Sequence, residues 1–315
     1  MTPLVSVLVP LYKTDPAYLQ QALQGLLAQT LEDWECVLVH QPAPGYPEPK
    51  KDTFPDPRFK IFTSNATSIG TNWNACLPHA QGEFVQFLFQ DDFWDAGYLA
   101  RMVEALRAAP TAALATARRR YHYEGEVPNR PFYEEVLAAQ AELPAGLYPG
   151  REFLVRWLNR DLRPNLIGEP IFTMLRRSTV EAVGPFHEGF FQLIDSEYWI
   201  RCLEHGDWFL ANETLGTFRV HDEGTSAKNA REGKGLFERI ALIERLAGAK
   251  DKAVRAAAKA SLKRSLAQMV DRFVARRKAG CVVAAKGGGN LPMLALRHPV
   301  LTLRALWTAA SRFLS

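Results

Sequence analysis

Over its first 117 residues this chain alternates short, almost wholly apolar runs with segments of helical spacing, and that alternation constrains the fold more than any other feature. Val5-Ser6-Val7-Leu8-Val9 is the first run. A strand covered on both faces is apolar throughout rather than at every second residue, so this reads as a buried strand. Glu35 to Val39, Phe59 to Phe62 and Glu83 to Phe89 read as further strands, and Ala112 to Ala117 as a fifth. Between them, Asp15 to Gln29 carries Leu19, Leu23, Leu26 and Leu27 at helical spacing behind an N-cap candidate in Thr14 or Asp15. Thr71 to His79 and Ala96 to Ala108 also read as helices. Strands and helices in this order predict an α/β domain with a mostly parallel, three-layer sheet. Ligands of such sheets gather at the carboxyl ends of the strands, so the residues just after each run are the ones to read for chemistry.

The remainder is less regular from Arg118 to Pro164, then shows a strand from Ile171 to Leu175 and helices near Ser178 to Val183 and Asp195 to His205. Thr214 to Val220 reads as a strand, and from about Gly233 the pattern is helical, broken at Gly287-Gly288-Gly289. Charge divides the chain at the same place. Residues 228–315 hold 19 Lys and Arg against 5 Asp and Glu, a net +14, whereas the first 227 residues are net −10. Two modules are therefore expected: 1–227, with a nucleotide-binding half over about 1–117 and a second half over about 118–227, and a basic helical region over 228–315. The tail favours an anionic surface but has few aromatics to stack on bases, so nucleic acid is not an expected partner.

A content of 47% hydrophobic and 23% charged residues excludes a disordered chain. No run reaches the ~18 apolar residues of a membrane span. Cys36, Cys76, Cys202 and Cys281 form neither a CxxC pair nor a zinc spacing, and the N-terminus lacks the features of a signal peptide. The expectation is a cytoplasmic chain with reduced, buried thiols. The last stretch, Leu291 to Leu314, mixes Trp307 and Phe313 with Arg297, Arg304 and Arg312. It fits either packing on the protein body or a peripheral helix at the inner face of the membrane.

The run Phe84-Val85-Gln86-Phe87-Leu88-Phe89 ends in Gln90-Asp91-Asp92-Phe93-Trp94. Two adjacent carboxylates at the end of a buried strand are costly unless something cationic satisfies them. Mg²⁺ or Mn²⁺ suits that position, because hard cations take oxygen ligands and leave sites for substrate phosphates. The alternative is that Asp91 and Asp92 only cap the next helix.

Pro10-Leu11-Tyr12, Ile69-Gly70-Thr71-Asn72-Trp73-Asn74, and Ala80-Gln81-Gly82-Glu83-Phe84 through Asp91-Asp92 together resemble the nucleotide-binding half of family 2 glycosyltransferases. Gly184-Pro185-Phe186-His187-Glu188 through Asp195-Ser196-Glu197-Tyr198-Trp199-Ile200-Arg201 resembles that family's acceptor-side motif, and Phe218-Arg219-Val220-His221 a further recurrent feature. The resemblance covers roughly 220 residues. It implies the GT-A fold and an inverting glycosyltransferase of the variant with a QDD metal motif, with the helical extension read from the pattern lying beyond it. It also implies a nucleoside-diphosphate sugar donor, a glycan or lipid-linked acceptor, and a divalent cation. On this resemblance Asp91 is the metal ligand with Asp92 beside it, Asp195 the catalytic base, and His221 a holder of the metal or diphosphate. Pro10, Tyr12, Asn72 and Trp73 fall on the nucleotide-sugar site, with His40 and Gln41 where relatives place base- and ribose-binding acids.

The chain departs from the pattern at Phe89, where relatives carry an earlier acid, and at Trp73, where many carry Arg. Two rival readings are carried forward: a non-catalytic sugar-nucleotide-binding or scaffold protein, and a nucleotidyltransferase on a related fold. Against the second, Pro10-Leu11-Tyr12-Lys13 is not a Gly-rich phosphate loop. Arg118-Arg119-Arg120 is expected to be a solvated loop or a dock for an anionic acceptor.

Overall fold

In the computed structural model, which describes residues 2–50, 54, 56–127, 130–221, 234–278 and 295–311, the apolar runs form the centre of a nine-stranded sheet. β1 (Val5–Tyr12), β2 (Trp34–Gln41), β3 (Phe59–Thr63) and β4 (Phe84–Phe87) lie parallel in the order β3-β2-β1-β4. Every residue of β1 but Tyr12 is buried, as the unbroken apolar run requires. Helix α1 (Pro16–Leu27) starts cleanly: Pro16 occupies its first turn and Asp15 accepts the Ala17 N–H at 2.8 Å. Helix α2 (Ile69–Asn74) is short and begins with a reciprocal Ser68–Thr71 capping box.

Past β4 the sheet becomes mixed. β5 (Phe93–Trp94), α3 (Tyr98–Ala108), β6 (Ala112–Tyr123), α4 (Arg130–Ala141), β7 (Gly146–Tyr148) and α5 (Gly150–Asn159) are followed by β8 (Thr173–Arg176), α6 (Arg177–Val183), α7 (Ile194–His205) and β9 (Asp207–Val220). β8 lies antiparallel between β4 and β6; β9 runs parallel to β6 and antiparallel to β5 and β7. The mostly parallel arrangement thus holds for the first four strands and gives way to mixed pairing beyond them.

The amino ends of β1, β2 and β4 are locked by one buried polar network. A Cβ at Gly82 would meet Ser6 N at 2.6 Å and Val5 C at 2.8 Å, so no larger residue fits the approach to β4. The Gly82 N–H donates to Ser6 Oγ at 2.7 Å, the Ser6 hydroxyl to Glu35 Oε1 at 2.5 Å, and Lys60 Nζ to Glu35 Oε2 at 2.6 Å. With the register set at this end, the opposite ends of β1, β2 and β4 open side by side.

The triple-arginine run is a correction. Arg118, Arg119 and Arg120 lie inside β6, not in a solvated loop. Alternate residues of a strand face opposite sides. Arg118 donates to the carbonyls of Gln140 and Leu143, Arg119 is buried against Glu169 at 2.6 Å, and Arg120 pairs with Asp95 at 2.7 Å.

The chain divides into two compact units, Met1–Phe153 with Asn165–Gly224, and Leu154–Pro164 with Thr225–Ser315. The sheet belongs wholly to the first. The second is built from α8 (Lys234–Leu246), α9 (Lys252–Lys278) and α10 (Pro299–Ser311). Asp161 accepts there from Ser261 Oγ at 2.9 Å and Arg264 Nε at 3.0 Å. The Gly287-Gly288-Gly289 break, Cys281, and the ends of the 291–314 stretch lie outside the described residues. Cys36, Cys76 and Cys202 are free and buried. Among the described residues no helix is long and apolar enough to cross a membrane.

Candidate active site

The chain after β4 turns at Gln90-Asp91-Asp92, and each of the three side chains has a separate task. Gln90 reaches back to β1. Its Oε1 accepts from the Tyr12 N–H at 3.2 Å and from Thr14 Oγ1 at 2.6 Å, and its Nε2 donates to the Tyr12 carbonyl at 3.2 Å. Gln90 therefore holds the β1–α1 turn in which Tyr12 stands 42% exposed.

Asp92 is buried and accepts the Arg219 N–H at 2.8 Å, which joins the turn to β9. Burial, with Asp91 next to it, pushes its carboxyl well above the usual range. Asp91 stays partly open, and its Oδ2 lies 3.3 Å from Nε2 of His221, the residue after β9. Arg219 ties this corner together. Its Nε donates to the Asp91 carbonyl at 3.0 Å, its terminal nitrogens reach Glu124 and Gln21, and its guanidinium sits 4.2 Å over the Tyr18 ring. Tyr18 in turn donates to Glu124 at 2.6 Å.

Among the described residues, Asp91 and His221 could together hold a divalent ion. Cis ligands each about 2.1 Å from a small cation lie about 3 Å apart, close to the separation found here. No cluster of three or more metal-ligating side chains occurs among the described residues. A cation held here would need its remaining ligands from phosphate oxygens or water, as Mg²⁺ sites commonly do.

Across the parallel register of β1 and β2, Leu11 faces His40 and Tyr12 faces Gln41. Pro10 is buried one step earlier beside Val39. His40 is buried and borders a cavity of about 660 Å³ with Leu11, Thr14 and the α1 residues Leu19 and Leu23. Trp73 and Asn72 are both buried in α2, and the Asn72 Oδ1 meets no donor. Trp73 stacks on Phe89 with ring centres 5.1 Å apart and meets Phe186 edge-on at 5.2 Å.

The segment around Phe186 folds onto α2. Asn74 donates from Nδ2 to the Phe186 carbonyl at 2.9 Å and accepts the Phe186 N–H at 2.7 Å. Arg201 secures the same segment by donating to the carbonyls of Val183 and Pro185 at 2.7 and 2.9 Å.

Asp195 occupies the first turn of α7, half-buried. Its Oδ1 takes the Ser196 N–H at 2.6 Å and its Oδ2 the Asn165 amide at 2.8 Å. Burial lifts its pKa to about 7 and the Glu169 charge adds to the rise, against the pull of the Ser196 and Asn165 donors. Glu169 raises Asp92 as well, so one carboxylate acts on both ends of the site. It is anchored by Arg119 and by the Tyr121 hydroxyl at 3.2 Å, and the segment carrying it is pinned to β4 where Gln86 donates to the Pro170 and Ile171 carbonyls.

Asn165, Glu169, Gln90 and Arg219 were not singled out from the sequence. Gln90 and Arg219 stood inside motifs that were, so their position carried a signal; Asn165 and Glu169 carried none.

A parallel β1–β4 core with an acid turn after β4, a helix-borne carboxylate and a mixed sheet beyond defines a GT-A-type nucleotide-sugar domain. The glycosyl transferase family 2 model matches residues 6–182, and the chain belongs to that family. Uncharacterized protein MT1568 of Mycobacterium tuberculosis is 25% identical over 202 residues, 64% of this chain and 62% of that one. The UDP-Glc:alpha-D-GlcNAc-diphosphoundecaprenol beta-1,3-glucosyltransferase WfgD of Escherichia coli is 28% identical over 104 residues, 33% of this chain and 41% of that one. The chain spans 62% and 20% of the length of the first two curated relatives it matches. Among solved structures, the mannosyltransferase PcManGT of Pyrobaculum calidifontis, in complex with GDP-Man and Mn²⁺, aligns with a TM-score of 0.61 at 20% identity over 100% of this chain and 88% of that one. Staphylococcus aureus TarS 1-349 in complex with UDP-GlcNAc aligns at 0.61 and 14% identity, covering 97% and 80%.

Proposed function

We propose that the protein is an inverting glycosyltransferase that moves a sugar from a nucleoside-diphosphate sugar to a glycan or lipid-linked acceptor. The observation that carries this reading is Asp195: a carboxylate held by Ser196 and by the Asn165 amide, raised to about 7, and sharing Glu169 with the acid turn of β4. A general base works best with a pKa near the working pH.

In the proposed reaction Asp195 takes the proton of the acceptor hydroxyl. That oxygen bonds to the anomeric carbon from the face opposite the leaving group, the bond to the diphosphate breaks, and the nucleoside diphosphate departs with the electron pair. One displacement inverts the centre. Asp91 and His221 would hold a Mn²⁺ or Mg²⁺ ion, which when bound neutralises charge on the diphosphate. Pro10, Tyr12, His40, Gln41, Asn72 and Trp73 would form the nucleotide side, with Tyr12 aimed by Gln90.

The names of PcManGT and TarS complexes include Mn²⁺, GDP-Man and UDP-GlcNAc, and that of WfgD a diphosphoundecaprenol acceptor, which supports the donor class, the cation and a lipid-linked acceptor. The test is a panel of UDP-, GDP-, dTDP- and CDP-sugars with Mn²⁺, read as nucleoside diphosphate release and as product anomeric configuration. The reading predicts inversion, and Asp195→Asn should bind donor but lose transfer by at least ~10²-fold. Unchanged donor turnover in that variant, or a product of retained configuration, overturns it.

A further inference from the structure

The described helices of the second unit include one whose two faces carry the wrong sizes of side chain for an ordinary surface helix. α10 turns Thr302 and Ala305 inward, both under 10% exposed, and Ala305 packs on Val270 and Ala267 of α9. Three of its large apolar residues face out: Val300 is 60%, Leu303 66% and Trp307 76% exposed, with Leu296 just before the helix at 82%, while Leu301 is half-buried. Positions 300, 303 and 307 share one helical face. A helix serving only its own domain turns the apolar stripe inward instead. The start of the helix is fixed, since Glu244 of α8 accepts from Arg297 at 2.5 Å and pairs with His298 at 2.6 Å.

Charge identifies what covers this face. The region 228–315 carries a net +14, and Arg304 is exposed beside Leu303 on the outward stripe. Lys252, Lys259 and Lys263 of α9 are exposed as well. Apolar residues that include a Trp, interleaved with cations, suit the boundary between acyl chains and anionic headgroups. No helix among the described residues is able to span the bilayer, so the contact lies in the plane of the interface.

We propose that α10 docks on an anionic bilayer surface, with Leu296, Val300, Leu303 and Trp307 among the acyl-chain ends and Arg304 at the phosphates. This stands on the helix alone and does not depend on the transfer reaction, although a lipid-linked acceptor resides at the same kind of surface.

The test uses the full chain with sedimentable vesicles of equal phosphatidylglycerol and phosphatidylcholine, and of phosphatidylcholine alone. At least tenfold tighter binding to the anionic vesicles is expected, weakened by 0.5 M NaCl. The variant Leu303→Glu with Trp307→Glu should lose that binding at least tenfold while keeping its thermal midpoint and its donor hydrolysis. Equal binding of wild type to both vesicles, or undiminished binding of the double variant, overturns the proposal. So does a wild-type dimer that becomes monomeric in the double variant with vesicle binding unchanged, because a second copy then covers the face. Donor hydrolysis read on the same samples separates a failure here from a failure of the proposed reaction.

Discussion

Asn165 donates its side-chain amide to Oδ2 of Asp195 at 2.8 Å, and the other end of the same amide is occupied by the Gly168 N–H at 3.0 Å. A backbone donor on Oδ1 leaves the amide one orientation, with its NH₂ toward Asp195. The carboxylate is therefore already aimed, as the proposed base must be. With its pKa lifted to about 7 by burial, Asp195 must lose its proton before it can accept one. Transfer should rise about tenfold per pH unit on the acid side and level off above pH 7. Asn165→Ala removes a donor that favours the charged form, so its acid limb should move upward and kcat should fall about tenfold at pH 7. A pH–kcat series on both proteins checks this.

Glu169→Gln moves the limb the other way. The Glu169 charge raises Asp195, and without it the buried Arg119 cation is left uncompensated, which favours an ionised Asp195. The acid limb should shift below 7. The broken buried pair should also cost about 3–5 kcal/mol in a denaturant titration. An unmoved limb would show that Glu169 serves only to hold the segment in place.

Asp91→Asn should reduce transfer at least ~10²-fold, while His221→Ala should weaken Mn²⁺ by about tenfold to a hundredfold and be rescued in part by excess metal. The difference follows from chemistry: Asp91 brings charge and His221 only a lone pair. Titration of Mn²⁺ by isothermal calorimetry, with and without nucleoside diphosphate, separates the two.

Arg219→Lys is not a mild change. The guanidinium meets the Asp91 carbonyl, Glu124 and Gln21 with three separate nitrogens, and it sits 4.2 Å over the Tyr18 ring. One ammonium cannot repeat that fork. A loss of about 2 kcal/mol in stability and a tenfold drop in kcat/KM are expected, measured by chemical unfolding and by initial rates.

What the sequence made legible follows a physical division. β1, β2 and β4 showed because burial on both faces writes itself as an almost wholly apolar run, and Asp91 showed because an acid after such a run needs a reason. His221 and Asp195 could be placed only through the family's motifs. Asn165 and Glu169 stayed invisible because their value depends on a loop meeting α7 and β6, whose partners lie many residues away. Arg118 to Arg120 misled for a related cause. Three successive cations look solvated, yet on a strand they point to alternate sides and find separate partners in Gln140, Glu169 and Asp95. The motif Ala80-Gln81-Gly82-Glu83 is also a packing signature, since Gly82 is required by the approach of its backbone to Ser6.

Two of the departures from the family's motifs, Phe89 and Trp73, are in contact: their rings stack at 5.1 Å with a 23° tilt, inside a cluster completed by Phe87 and Phe186. A carboxylate at 89 alone would replace a ring packed on Trp73 and Phe87, and an arginine at 73 alone would be buried beside Phe87 and Phe186. Trp73→Arg strands a charge in a buried place and should cost about 3–5 kcal/mol, and Phe89→Asp, at a half-buried position, should cost less. Made together they put opposite charges where two rings now stack. The double variant should therefore be more stable than the sum of the singles by at least about 1 kcal/mol in a double-mutant cycle. A cycle that closes to zero would mean that the two positions changed independently. A coupled cycle in which Phe89→Asp with Trp73→Arg also binds Mn²⁺ more tightly would mean that the aromatic pair stands in for a metal-side acid and its partner.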